Sequence, residues 1–460
     1  MTDQKEILGR APVGKLLFKL SLPTVLAQLI NMLYNVVDRV YIGHMPEVGD
    51  LALTGVGVCM PLIMLISAFA ALVSSGGAPR ASIFLGKGDE ESAEKTLGAL
   101  FALQIIVSAL LTVTLLLWSR DLLLAFGASE NTIEYAAEYM HIYAIGTLFV
   151  QLTLGMNAFV SAQGFTKISM LSVLLGAACN IVLDPILIYG LHMGVRGAAL
   201  ATVISQLLSC VFVVSFLCGK KTLVRLRLKN LIPYPKIVLP SIALGTATFI
   251  MQASESVISI AFNSSLLKYG GDIAVGAMTV LTSVMQLAML PPQGIAQGAQ
   301  PILSYNYGAK NATRVKKAFQ ILLTVCLIYS VGIWLLVMLL PSMFVSIFTP
   351  DGELIAFASR APRIYFAGMV VFGIQIACQM TFVSLGKALS SVTVAVVRKF
   401  VLLLPLIYIV PLLCESATVG VYLAEPIADV LAVSFTAILF AFQFKKALRA
   451  IDSKTPSQTK

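Results

Sequence analysis

Long apolar stretches, separated by short polar segments, run through almost the entire chain. Three of them carry no charged residue, at 97–118, 197–218 and 318–340, and each exceeds the ~20 residues that a helix needs to cross a bilayer. Weaker stretches with one or two polar residues raise the number of predicted membrane helices to about twelve. They lie at 16–43, 51–79, 96–118, 137–163, 168–190, 196–218, 238–266, 273–303, 317–341, 361–385, 389–412 and 418–444. The pattern predicts an all-α integral membrane protein.

The composition agrees with this fold class. Of the 460 residues, 58% are hydrophobic and only 12% are charged, whereas about 25% of a soluble domain is charged. A net charge of +10 is compatible with nucleic-acid binding, but the chain has no nucleic-acid motif. Basic residues of membrane proteins collect in cytoplasmic loops. We therefore predict the lipid bilayer as a partner, and no nucleic acid.

Basic residues alternate between the connections of the predicted helices. The linker 220–236 carries six of them, whereas the connection after the third span carries Glu130 and Glu134. The positive-inside rule then places the N-terminal segment 1–15, this linker and the polar tail 447–460 in the cytoplasm. An even number of spans agrees, because it puts both termini on one side of the cell membrane.

The two halves of the chain repeat each other. Pro79 and Gly86 match Pro301 and Gly308 at an offset of 222 residues. Further matches at offsets of 220 to 222 join Tyr143 to Tyr365, Gly146 to Gly368 and Pro185 to Pro405. The pattern predicts two six-helix lobes, 16–219 and 237–446, as a parallel repeat about an axis normal to the membrane, with a central cavity between them. Because each lobe supplies the interface of the other, we expect a monomer.

Two carboxylates in the first half fall inside predicted membrane helices, where a charge is costly and is usually functional. Asp38, Asp184 and Thr202 are all expected about 8–9 Å below the outer boundary, at a rise of 1.5 Å per residue. Asn180 shares a helix face with Asp184. These four residues predict either a Na⁺ site of oxygen ligands or a proton shared by two carboxyls. Asn157 is a further candidate for this site.

Simpler roles remain open for the same residues. Asp38 could pair with Arg39, although adjacent residues on a helix point apart. Asp184 could cap a helix that is kinked at Pro185, and Asn157 could make an ordinary interhelical hydrogen bond.

The second half offers Glu255 at the middle of its first span, where a neighbouring helix could also satisfy the carboxylate. Gln286, Gln375 and Gln379 are candidates for the substrate cavity, with interhelical hydrogen bonding as the simpler role. Further polar candidates in the last two spans are Arg398, Lys399, Glu425 and Asp429. We expect the two basic residues to extend to the cytoplasmic surface, with a position at the central cavity as the alternative.

Four segments carry a family resemblance. They are Leu-Tyr-Asn-Val-Val-Asp-Arg-Val-Tyr-Ile-Gly at 33–43, Asn-Ile-Val-Leu-Asp-Pro-Ile-Leu-Ile at 180–188, Gly-Val-Arg-Gly-Ala-Ala-Leu-Ala-Thr at 194–202, and Gln-Pro with Tyr-Asn-Tyr-Gly at 300–308. With these segments the sequence resembles the multidrug and toxic compound extrusion (MATE) transporters. The resemblance implies two six-helix bundles around a central cavity, and export of cationic lipophilic compounds by antiport with Na⁺ or H⁺.

The resemblance also implies roles for individual residues. Asp38, Asn180, Asp184 and Thr202 match the family's cation-site positions in the first lobe, and Glu255 matches an acidic position that some members use in the second. One branch has a carboxylate on the tenth helix, where this chain has only glutamines. We therefore expect coupling in the first lobe.

The function expected from these observations is secondary active multidrug efflux by alternating access, with H⁺ or Na⁺ as coupling ion and no cofactor. The alternative is a flippase for a lipid-linked precursor, which would need a cationic cavity; only Arg398 and Lys399 are candidates for one. The sequence contains no H-E-x-x-H or G-x-S-x-G motif that would indicate an enzyme. It also contains no P-loop that would indicate ATP-driven transport.

Overall fold

Helices make up nearly all of the computed structural model, which describes residues 2–46, 48–346 and 361–452. No strand occurs within these ranges. The helices are α1 Thr2–Arg10, α2 Val13–Gly43, α3 Gly49–Gly86, α4 Glu90–Ala125, α5 Ile133–Ala162, α6 Thr166–Gly190, α7 Val195–Cys218, α8 Pro235–Gly271, α9 Ile273–Gly308, α10 Ala312–Leu339, α11 Pro341–Ser346, α12 Ala361–Tyr365, α13 Met369–Ser384, α14 Ala388–Leu412 and α15 Ala417–Asp452.

Among the described residues, eleven helices are long and apolar enough to cross a membrane, and α13 is a shorter apolar helix. The predicted all-α membrane fold is therefore confirmed. Two details differ from the predicted spans. The span predicted at 361–385 is divided into α12 and α13 by a turn. The spans predicted at 238–266 and 273–303 almost join, because only the positive φ of 65° at Gly271 interrupts the helical path.

Two membrane helices that correspond to each other in the two halves contain π-helical turns. In α6 the turn Ile186–Gly190 follows Pro185, and in α14 the turn Val397–Leu403 precedes Pro405. Proline lacks the N–H that continues the helical hydrogen-bond ladder, and π-helical turns are frequent at functional sites. Both candidate sites described below include residues in or directly before these turns.

The first described helix, α1, and the last turns of α15 lie at one end of the helical assembly, here called the terminal end. Leu8 of α1 and Ala447 of α15 belong to the same buried apolar cluster. That cluster also joins Leu16 of α2 to Ala299 of α9, so the first half (α2–α7) and the second half (α8–α15) meet there. Two other large clusters each lie within one half.

Helix α1 lies across both halves at the terminal end. Gln4 donates to the Gly164 carbonyl at 3.0 Å, and Lys5 pairs with Glu90, which ties α1 to the first half. On the other side, Asn306 and Arg314 both donate to the Leu8 carbonyl at 3.1 Å. The predicted polar segment 1–15 therefore contains an ordered helix that connects the halves.

Glycines let the two halves approach backbone to backbone in a seam at the terminal end. A Cβ on Gly86 would collide with the Tyr305 carbonyl, and one on Gly308 with the Ile83 carbonyl. The internal repeat relates these two contacts to each other, because residues 83 and 305, and residues 86 and 308, are each 222 positions apart. The seam is thus pseudo-symmetric, as a parallel repeat requires.

A second pair of contacts follows the same symmetry. Gly76 lies against Ser241 in one contact, and Gly298 lies against Ser21 in the other. Hydrogen bonds reinforce the seam, because Thr24 Oγ1 donates to the Gly294 carbonyl at 2.5 Å and Ser21 Oγ to the Ile295 carbonyl at 3.2 Å.

Substitution of a seam glycine is expected to lower stability. In Gly245→Ala the new methyl would collide with the Leu72 carbonyl, and overpacking of this kind typically costs about 1–3 kcal/mol. The melting temperature of the purified protein in detergent measures the change. Gly332→Ala on α10 is the matched control, because nothing lies within 4 Å of its Cβ position and alanine is the better helix former. Equal melting temperatures for the two variants would contradict the described seam.

Candidate functional site

Polar side chains from α2, α6 and α7 converge within the first half. Asn180 Nδ2 donates to Asp184 Oδ1 at 3.3 Å and to Thr202 Oγ1 at 3.4 Å. The carboxyl groups of Asp38 and Asp184 lie within hydrogen-bonding reach of each other. The four residues that were predicted to share one site therefore form one cluster, here called the Asp38–Asp184 cluster.

The cluster is buried and incompletely satisfied. Asp184 is 0% exposed, Asn180 1% and Asp38 9%. Three of its oxygens, Asp38 Oδ1, Asp184 Oδ2 and Asn180 Oδ1, are buried without a hydrogen-bond partner in the described structure. Leaving such acceptors unpaired is expensive. A proton or a small cation that prefers oxygen ligands would satisfy them.

The π-helical turn after Pro185 fixes the end of α6 against α2. Within it, Tyr189 donates its hydroxyl to the Tyr41 carbonyl at 2.5 Å, and the two rings meet edge to face. This contact lies one turn from Asp38 along α2 and just over one turn from Asp184 along α6. It holds the two carboxyl-bearing helices together on that side of the cluster.

Two tyrosines belong to the surroundings of the cluster but were not predicted from sequence. Tyr34 lies one turn before Asp38 on α2 and in its electrostatic neighbourhood. Tyr139 of α5 is 4% exposed, and both Asp38 and Thr202 lie in its electrostatic neighbourhood. The spacing of four residues between Tyr34 and Asp38 was a usable signal. Nothing in the sequence related Tyr139 to Thr202.

A small cavity of about 50 Å³ opens beside the cluster, between α2, α5, α6 and α7. Its wall includes Tyr34, Asn180 and Thr202, so the cavity and the cluster share residues. Asn157 also lines it, and its Nδ2 donates to Ser172 Oγ at 2.7 Å while its Oδ1 is buried without a partner. Asn157 thus lies at the cavity rather than at the carboxyl pair.

Five charged side chains of the second half form two neighbouring ion-paired groups, one around Lys399 and one around Arg398. Together they are here called the Arg398 network. Lys399 Nζ donates to Glu255 Oε1 at 2.6 Å. Arg398 donates to Asp429 Oδ1 from Nε at 3.0 Å and from Nη2 at 2.9 Å, and to Glu425 Oε1 at 3.5 Å. The guanidinium also stacks over the Phe372 ring at 4.6 Å.

The expectation that Arg398 and Lys399 extend to the membrane surface is wrong. They are 7% and 4% exposed, because carboxylates on α8 and α15 hold them inside the protein. The neighbouring-helix interpretation of Glu255 is the one observed, with α14 as that helix. The Glu255 side chain remains 56% exposed despite this pairing.

The candidate glutamines have separate environments. Gln379 donates to Ser391 Oγ on α14 at 2.8 Å, which is the interhelical role considered for it. Gln375 is 2% exposed and its Oε1 has no partner in the described structure, whereas Gln286 is exposed. A part in substrate binding stays a prediction for all three.

The fold and this site define a class of protein. A multi-pass helical membrane protein with two repeated halves and buried carboxylates at the centre of one half has the organisation of a secondary transporter. The family model MatE matches residues 23–186 and again residues 247–409. The chain belongs to this family of multidrug efflux transporters.

Individual relatives agree with that assignment. The chain is 24% identical over 373 residues to the multidrug export protein MepA of Staphylococcus haemolyticus, covering 81% of each protein. It is 23% identical over 377 residues to MepA of Staphylococcus aureus, covering 81% of this chain and 82% of MepA.

Solved structures share the fold over nearly the whole length. A MATE structure in the bent conformation superposes with a TM-score of 0.91 at 24% identity, covering 98% of this chain and 99% of that one. A transporter of the MOP superfamily from Pyrococcus furiosus, described as having a binding pocket of reverse polarity, superposes with a TM-score of 0.89 at 24% identity, covering 97% and 98%.

Proposed function

We propose that this protein is a secondary active exporter of cationic, lipophilic compounds, driven by entry of a monovalent cation, H⁺ or Na⁺, that binds at the Asp38–Asp184 cluster. The observation that carries the proposal is the set of three unpartnered buried oxygens on Asp38, Asp184 and Asn180, directly beside a cavity. The relatives named as multidrug export proteins support the direction of transport.

The arrangement of the halves supports alternating access. The glycine seam closes the terminal end, and we propose that the described conformation opens towards the opposite end. We propose that the protein is a monomer in the cell membrane, and the distribution of basic residues supports a cytoplasmic position of both termini. In this orientation the described state faces outward. It is the state that releases substrate and receives the coupling ion.

Coupling depends on the ion having different affinities for the two states. Binding at the cluster neutralises Asp38 and removes the repulsion between the paired carboxyls. Helix α2 can then bend, and it contains Pro23 beside the seam residues Ser21 and Thr24. Bending of α2 would reshape the cavity wall that includes Tyr34 and weaken the hold on a bound cation.

The lining of the cavity offers both polar and apolar groups, as an amphiphilic cation requires. It combines the amides of Asn31, Asn157 and Gln206 with apolar Leu154 and Val173. Amides accept hydrogen bonds from varied polar groups, and apolar side chains pack against a lipophilic body. The neighbouring carboxyl pair supplies the negative charge. The coupling ion and the cationic substrate cannot both be bound to this pair at the same time.

Dye transport in proteoliposomes tests the proposal. Uptake of a fluorescent cationic dye is measured under an imposed Na⁺ gradient and, separately, under an imposed pH gradient. Transport under only one gradient would support antiport and identify the ion. No transport under either would contradict the proposal and favour the lipid flippase, which otherwise lacks support because carboxylates neutralise Arg398 and Lys399.

A further inference from the structure

The Arg398 network does not balance its charges. It contains three carboxylates, Glu255, Glu425 and Asp429, and two fixed cations. Glu425, Asp429, Arg398 and Lys399 are each at least nine-tenths buried. A buried charge without a partner is strongly unfavourable inside a membrane protein. Glu255 is 56% exposed and already pairs with Lys399, so the unbalanced buried charge lies between Arg398 and its two carboxylates. One further positive charge is needed there.

The carboxylate without a cation of its own is Glu425. Lys399 is engaged by Glu255 at 2.6 Å, and Arg398 donates two short hydrogen bonds to Asp429. Within the described ranges, the single hydrogen bond of Glu425 is a 3.5 Å contact with Arg398 Nη2, a nitrogen that already serves Asp429. The missing charge thus belongs at Glu425.

The network occupies the position that the internal repeat relates to the Asp38–Asp184 cluster. Helices α8, α14 and α15 are the first, fifth and sixth membrane helices of the second half, as α2, α6 and α7 are of the first. In both halves a π-helical turn beside a proline lies at the site. Tyr365, the repeat partner of Tyr143, lies in the electrostatic neighbourhood of Glu255, Glu425 and Asp429.

We propose that the second half of the protein binds a proton of its own on the Glu425 carboxyl, at a site separate from the Asp38–Asp184 cluster. A proton needs no space and no further ligands. Na⁺ needs several oxygen ligands and would have to enter beside a guanidinium and an ammonium group. The protonated carboxyl also leaves Arg398 with Asp429, and Lys399 with Glu255, as two neutral ion pairs.

Among the described residues, four charged groups around Glu425 take part in this balance. Asp429 lies one turn away on the same helix, Arg398 and Lys399 face it from α14, and Glu255 faces it from α8. The Tyr365 hydroxyl is a further titratable group nearby. The proposal does not depend on which ion drives export, because its test measures protonation and not transport.

Infrared spectroscopy of the full-length protein in nanodiscs is the test, with the stretching band of a protonated carboxyl as the signal. The background is Asp38→Asn with Asp184→Asn, which removes the signal of the first cluster. We expect this background to retain a protonated-carboxyl band at neutral pH that shifts in D₂O. Glu425→Gln should remove the band, and Glu415→Gln, at an exposed position before α15, should leave it unchanged.

Asp429→Asn provides a second test of the proposal in the same background. It leaves two carboxylates for two cations, so Arg398 becomes free to pair with Glu425, and the band should disappear although Glu425 is intact. A background without the band would overturn the proposal, even if neither variant folds. A band that survives Glu425→Gln, or that is lost when Na⁺ is added at constant pH, would overturn it as well.

Discussion

Asp38→Asn is expected to abolish ion-driven dye transport, reducing it to the rate of protein-free vesicles. Asparagine has nearly the same shape as aspartate but neither carries the charge nor exchanges a proton. The cluster would then keep Asp184 and Asn180 but lose one of the two carboxyls that meet in it. Without that carboxyl, the ion no longer favours one conformation over the other, and coupling is lost.

The protein itself should tolerate this change. Asp38 has an unpartnered buried oxygen, so replacing a charge by an amide relieves an electrostatic strain, and expression and melting temperature should be preserved. Asp50→Asn is the matched control, because Asp50 is exposed at the start of α3 and outside the cluster. Transport at the wild-type rate by Asp38→Asn would remove this residue from the mechanism.

The first-half site could be predicted from sequence because its geometry is local and regular. Asn180 and Asp184 are one helical turn apart, and the depths of Asp38 and Thr202 follow from counting residues along straight helices. The apolar pattern placed the ends of these helices well. What the pattern could not provide was the contact with Tyr139, because interhelical packing decides which face of α5 meets Thr202.

The second-half network was mispredicted for a related reason. A regular helix through Arg398 and Lys399 lies close to the membrane surface, where long basic side chains normally reach water. Both residues lie in the π-helical turn Val397–Leu403, and their partners come from other helices: Glu425 and Asp429 of α15 for Arg398, and Glu255 of α8 for Lys399. Neither the irregular turn nor the pairing can be predicted from the pattern of hydrophobic residues. Charge balance between Arg398 and the carboxylates of α15 was the one available signal.

Helix α1 is another element that the sequence pattern alone did not predict. Its sequence is mostly polar, and a nine-residue helix is marginal in isolation. Its stability therefore comes from tertiary contacts: Leu8 is fully buried, and its carbonyl accepts from Asn306 and Arg314. Such contacts join residues about 300 positions apart in the chain, and they cannot be predicted from a local sequence pattern.

Arg398→Met is expected to destabilise the protein strongly, by about 3–5 kcal/mol, which is the usual effect of removing one partner from a buried ion pair. Asp429, which is 2% exposed, would lose both of its hydrogen bonds from Arg398 and remain as an unpaired charge in the membrane. The contact of the guanidinium with Phe372 would be lost as well. The measurement is the melting temperature of the purified protein in detergent.

The double variant Arg398→Met with Asp429→Asn separates the ion pair from simple loss of packing. Because both charges are removed together, we expect it to recover most of the lost stability, as replacement of whole buried ion pairs often does. Arg120→Met is the matched control: Arg120 pairs with Glu134 at 2.9 Å, but the two side chains are 59% and 68% exposed. Removing an exposed pair should cost about 0–1 kcal/mol. Equal effects of Arg398→Met and Arg120→Met, or a double variant no more stable than Arg398→Met, would show that the buried charges do not determine stability here.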